Sequence, residues 1–245
     1  MPRITRREAL VVTGLAATAC AASALGVGGL LLLPRRTAPT ATPSPSSTPD
    51  LPPQPIIVPR AAWGAREPDH AAPNERGFAE APLDNSWWVY PGDLAEVYNT
   101  VVIHHTAHNQ ENAETMVDIQ NLHMNRNGWA DIGYHYGIAT DGNIYEGRDI
   151  GVRGSSVSGY NTGLIGVTLM GNFEVDQPTE AQLATVQTLV NWLAARYRLS
   201  HLAGHGEFNG NTVCPGENLI SHLHTFASAA GLQRGTGGYV APTVG

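Results

Sequence analysis

The chain has 245 residues, 42% hydrophobic and 14% charged, with a formal net charge of −7; this is room for one domain of ordinary size plus a tail. It carries 14 arginines and no lysine, and beyond residue 50 nine arginines face nineteen carboxylates, leaving that part at −10. So acidic a body argues against nucleic-acid binding through a basic face and against long-range steering of an anionic polymer.

Residues 1–8 are polar and basic, with paired arginines in Thr5-Arg6-Arg7-Glu8-Ala9-Leu10, and residues 9–33 carry no charge before Pro34-Arg35-Arg36. Paired arginines ahead of an apolar run resemble a twin-arginine export signal. The run is also long enough to span a bilayer and longer than a usual signal core. Residues 1–36 therefore read as a twin-arginine-like signal or a membrane anchor held by residues 9–33. Ala17-Thr18-Ala19-Cys20 is a weak lipidation box without the usual leading leucine. All three readings put the rest of the chain outside the cytoplasm. Residues 37–55 are nearly all Thr, Ala, Pro and Ser, a composition that buries no core and favours extended chain. Residues 56–232 read as the folded domain and 233–245 as a flexible tail.

Within the domain, Trp63 sits among small residues and reads as packing. Residues 67–98 are rich in Pro, Asn and acidic groups around Trp87-Trp88-Val89-Tyr90, and read as surface loop over a sheet edge, with a groove lining as the alternative. Val101-Val102-Ile103-His104-His105-Thr106 is a short buried strand that ends in imidazoles. Met116, Ile119 and His123 recur at helical spacing over 111–126, and Gly128 terminates that helix. Strands come next at 132–138 and 143–147, joined at the turn pair Asp141-Gly142, then at 164–169. Thr179 and Gln182 are set as a capping box for a long helix with Leu183, Val186, Val190, Leu193 and Tyr197 on its inner stripe. Residues 218–229 form a last helix. The interspersed order predicts an α/β domain, a central sheet covered by helices.

Two histidines and a cysteine stand out. His104 ends the first strand, His205 lies in Ala203-Gly204-His205, and Cys214 is the one cysteine outside the N-terminal apolar segment. Two imidazoles and a thiolate suit zinc, and three protein ligands are the catalytic number, with a fourth position left open. His105 is the adjacent alternative ligand, but neighbours in a strand face opposite ways. A buried, inert Cys214 is the competing reading. Amide hydrolysis also needs an oxyanion donor and a proton path, for which Tyr134 and Thr212 are candidates. An unrelated metalloprotease is disfavoured, since the chain has no His-Glu-x-x-His string.

Several motifs occur in a fixed order: Val-Ile-His-His-Thr-Ala (102–107), Gly-Trp-Ala-Asp-Ile-Gly-Tyr-His-Tyr (128–136), Asp-Gly-Asn-Ile-Tyr-Glu-Gly-Arg (141–148), Gly-Tyr-Asn (159–161), Ile-Gly-Val (165–167), Gly-Asn-Phe (171–173) and Cys-Pro-Gly (214–216). Together with Arg-Ala-Ala-Trp-Gly-Ala-Arg (60–66), the set resembles the peptidoglycan recognition protein and type 2 N-acetylmuramoyl-L-alanine amidase family across residues 56–232. The resemblance implies a mixed sheet with flanking helices and a zinc ion (Zn2+) on His104, His205 and Cys214. It implies Tyr134 as catalytic tyrosine, Thr212 near the scissile carbonyl, and His105, Gly128, Trp129 and His135 in a muropeptide groove. The implied partner is peptidoglycan, cut between N-acetylmuramic acid and L-alanine by a monomer. Gly128-Trp129 resembles the pair associated with diaminopimelate-type stems. A non-catalytic peptidoglycan-binding module is the alternative, because many relatives keep the groove without the metal. Here the His205–Cys214 loop is one residue longer than usual, and Gly206-Glu207 replaces the common Arg-Asp.

Overall fold

The computed structural model describes residues 51–75, 87–108 and 115–240; the signal or anchor read at 1–36 and most of the linker lie outside them. The strands are β1 (Ile57–Val58), β2 (Thr100–His105), β3 (Tyr136–Ile138), β4 (Ile144–Glu146), β5 (Leu164–Leu169), β6 (His201–Gly204) and β7 (Gln233–Arg234). They form one sheet in the order β1-β4-β3-β5-β2-β6-β7. Every pairing is parallel except β3 with β4, so the sheet is mixed. β2 and β5 sit at its centre with all six residues of each buried, the pattern of strands covered on both faces.

The helices are α1 (Arg60–Trp63), α2 (Leu94–Val97), α3 (Met116–Asn121), α4 (Glu180–Tyr197), α5 (His205–Phe208), α6 (Glu217–Ile220) and α7 (Leu223–Ala229). The Thr179/Gln182 capping box on α4 is present on both sides. On one sheet face, Val101, Ile103, Ile165, Val167 and Leu169 pack against Val186, Leu189, Val190 and Leu193 of α4 and Leu223 and Phe226 of α7. Val102 and Leu164 point the other way, onto Val157, Phe208 and Tyr239. Alternation along β2 and β5 therefore separates a dry face from a second face that also carries His104, Gly166 and Thr168.

Several elements differ from the expectation. The helix expected over 111–126 has its N-cap at Thr115, whose hydroxyl accepts from Asp118 N while the Asp118 carboxylate accepts from Thr115 N. It continues as a π-turn through Arg126, and residues 109–114 lie outside the described ones. The strand expected over 132–138 is regular only from Tyr136, because the Arg148 guanidinium takes the carbonyls of Asp131 and Ile132 that a ladder would use. The last helix breaks in two. Ser221 Oγ donates to the Asn218 carbonyl, and His222 N turns to Leu219 O instead. Regular pairing also runs past residue 232, through β7 on β6. The Trp87–Tyr90 stretch is core and edge packing: Trp87 and Tyr90 are buried, and Trp87 lies under the Arg148 guanidinium at 4.9 Å.

Candidate metal centre

β2 and β6 are parallel neighbours with Ile103 opposite Gly204. The next residue of each chain segment is a histidine, so His104 and His205 emerge side by side at the carboxyl edge of the sheet, where open α/β sheets bind ligands. Their ring centroids lie 4.8 Å apart. A hundred residues of sequence separation vanish through one register. The loop after α5 then folds back: Gly206 N donates to Cys214 O at 2.7 Å, and Cys214 N donates to Thr212 Oγ1 at 3.2 Å. A side chain at Gly206 would stand 2.8 Å from the Thr212 carbonyl oxygen and 3.0 Å from that of Cys214, so glycine there permits the close return.

The three side chains offer ligand atoms that all lie within 4.8 Å of one another. Cys214 Sγ is 3.6 Å from His104 Nδ1. A tetrahedral zinc with about 2.3 Å to sulfur and about 2.0–2.1 Å to nitrogen would separate those atoms by about 3.5–3.6 Å. The nitrogen turned to the sulfur is Nδ1; Nε2 faces away, buried and without a hydrogen-bond partner. The donor set and its spacing fit zinc.

The electrostatics point the same way. Burial, then the neighbouring His205, holds His104 well below the usual imidazole range, and burial lowers His205. Both rings are neutral near pH 7, the form a metal takes. Burial pushes the Cys214 thiol up to about 12, opposed by the His105 N–H that donates to its sulfur at 3.4 Å. A cation is what converts such a thiol to thiolate.

A family model described as N-acetylmuramoyl-L-alanine amidase matches residues 95–217. Peptidoglycan-recognition protein SC2 of Drosophila melanogaster is 36% identical over 143 residues, 55% of this chain and 77% of that protein. The chain belongs to this peptidoglycan recognition and type 2 amidase family. Among solved structures, the amidase LysC of Clostridium intestinale URNW matches with TM-score 0.53 and 27% identity, covering 74% of this chain and 100% of that one. Human PGRP-Iβ C, in complex with glycosamyl muramyl pentapeptide, matches with TM-score 0.55 and 30% identity, covering 70% and 96%.

In this amidase-family fold a polar cavity of about 330 Å³ adjoins the triad, with Asn74, Trp129, Ser155, Asn161, His205 and Thr212 among its walls. Tyr134 stands beside the centre, its ring 5.0 Å from His104 and 5.3 Å from His123. Trp129 lines the cavity. Gly128, at φ 68°, lets Pro73 and Asn74 approach: a Cβ there would meet Pro73 Cγ at 2.8 Å.

His105 and His135 do not join the groove. His105 faces Phe173, whose N–H donates to its Nδ1 at 3.2 Å. His135 accepts from Gly166 N at Nδ1 (3.0 Å), and its Nε2 meets Val152 O at 2.9 Å. Burial lowers it to about 4, so it is a neutral strut between β5 and the 147–153 loop. Alternation predicts the first outcome; nothing in the sequence marks the second.

Sequence reading also missed Glu75. Its carboxylate holds both terminal nitrogens of the fully buried Arg148, at 2.5 and 2.8 Å, and accepts from Ala130 N at 3.1 Å. This clamp fixes residues 72–75 against the Gly128–Ala130 wall. Arg148 closes the 141–148 motif, but its partner comes from a loop with no periodic signal.

Proposed function

We propose that this protein is a zinc-dependent N-acetylmuramoyl-L-alanine amidase that acts on peptidoglycan outside the cytoplasm. The observation that carries the reading is the convergence of His104, His205 and Cys214 at spacing that suits one zinc ion. It is supported by the adjacent polar cavity, sized for a few sugar and amino-acid units, and by relatives named as amidases. Export is inferred from residues 1–36, and a monomer is expected.

His104, His205 and Cys214 would hold the ion. When bound, zinc would supply Lewis acidity toward a carbonyl or a water. The muropeptide lies along the cavity with its scissile amide at the triad. Tyr134, beside His104, donates its phenolic hydrogen to the oxygen that gains negative charge in the transition state. Thr212, tethered by its hydroxyl to Cys214 N, orients the amide from the opposite wall. The neutral imidazole of His123, which burial lowers to about 3 and which accepts from Gly133 N at 3.0 Å, holds the backbone beside Tyr134. Trp129 contacts the stem peptide. A preference for diaminopimelate-type stems is proposed from the Gly128-Trp129 pair; a structural neighbour, PGRP-LE, was solved with tracheal cytotoxin, a monomeric diaminopimelic acid-type peptidoglycan.

The test is incubation of zinc-loaded protein with a defined muropeptide and mass spectrometry of the products. The expected result is a free stem peptide beginning at L-alanine together with the intact sugar. Binding without that product leaves the alternative, a peptidoglycan-binding module.

A further inference from the structure

We propose that Thr168 is a positioning residue for the metal centre: its hydroxyl is the acceptor for the outward ring nitrogen of His104 when the other nitrogen binds zinc. The inference rests on the zinc reading above.

Thr168 is the register partner of His104 on the neighbouring parallel strand β5. Both residues are 0% exposed, and alternation puts both on the face of the sheet that carries the metal centre. Thr168 Oγ1 and His104 Nε2 are two of the three buried side-chain polar atoms, among the described residues, that have no hydrogen-bond partner. A dry hydroxyl without a partner is destabilising, and valine would fill nearly the same space without it. Two such atoms on paired positions of adjacent strands are complementary in chemistry. His104 Nδ1 is the nitrogen that lies 3.6 Å from Cys214 Sγ, so Nδ1 is the one turned to the ligand cluster. A neutral imidazole that gives its Nδ1 lone pair to a cation carries its hydrogen on Nε2. Metal-bound histidines almost always donate that second N–H to an oxygen, which fixes ring orientation and tautomer. The two atoms do not hydrogen-bond to each other in the structure as it stands; Thr168 Oγ1 supplies the oxygen once the ring turns onto the cation, or through one buried water. Without a cation on Nδ1, nothing fixes the hydrogen on Nε2, and the hydroxyl has no assured donor.

The test compares zinc affinity of the full chain, Thr168→Val and Thr168→Ser by competition with a chelator of known affinity, alongside melting of the metal-free proteins. Thr168→Val should bind zinc about 10–100-fold more weakly, the range for loss of an outer-shell partner. Thr168→Ser, which keeps the hydroxyl, should stay close to wild type. Metal-free Thr168→Val should melt no lower than wild type, because it removes an unsatisfied group. Equal zinc affinity for wild type and Thr168→Val overturns the inference and leaves the amidase reading standing. A lower melting temperature of metal-free Thr168→Val also overturns it, since the hydroxyl would then have a partner without metal. Absence of zinc binding in wild type overturns both.

Discussion

Serine in place of Cys214 is expected to leave amide hydrolysis undetectable while muropeptide still binds. The thiol is buried, and burial, opposed by the His105 N–H, pushes its pKa up to about 12; a bound cation would bring it to thiolate. A serine hydroxyl is a harder and far weaker acid, so the site keeps two imidazoles and loses the donor that suits zinc best. The polar cavity is built by other residues, among them Asn74, Trp129, Ser155 and Asn161. Its walls are held by contacts that do not pass through sulfur, such as the Glu75–Arg148 clamp and the Asn161 side-chain Oδ1 that accepts from Ser156 N and Val157 N. Product release and equilibrium binding, measured side by side on the same preparation, check the separation. Turnover equal to wild type would show that Cys214 is no ligand.

Tyr134→Phe should lower kcat by about 10²–10³-fold with zinc content unchanged, the range for removal of one oxyanion donor. The ring remains, so its packing on His104 and His123, with centroids 5.0 and 5.3 Å away, is preserved. Its backbone carbonyl still accepts from Arg148 N, so the approach to β3 keeps its course. What disappears is one O–H. If the variant lost zinc, the phenol would be supporting the ligands; if kcat stayed the same, the donor would lie elsewhere. KM should change little, because the bond is made in the transition state.

The parts of this architecture legible from sequence were those with a strong local rule. The β-branched run into His104 predicts β2, and the Thr179/Gln182 pair predicts the start of α4 because capping chemistry is confined to four residues. Strand alternation predicts that His104 and His105 part company. What escaped depended on distant pairing. β6 is four residues, His201–Gly204, with no periodic signal, yet its register against β2 is what sets His205 beside His104. The irregular path of 132–135 comes from a buried guanidinium further along the chain. Glu75 sits in a Pro- and Asn-rich loop that reads as surface, and its burial becomes intelligible only with Arg148 in place. His135 lies next to the proposed catalytic tyrosine in sequence, but the hydrogen bonds that claim both its ring nitrogens come from β5 and the 147–153 loop.

In the function proposed above, amide hydrolysis depends on one zinc ion held by His104, His205 and Cys214 with a fourth position open. X-ray absorption at the zinc edge of the loaded wild-type protein tests this most directly. One sulfur at about 2.3 Å and two nitrogens at about 2.0–2.1 Å, with one further light atom, is the predicted first shell. A shell without sulfur, or one filled by four protein ligands, would contradict it.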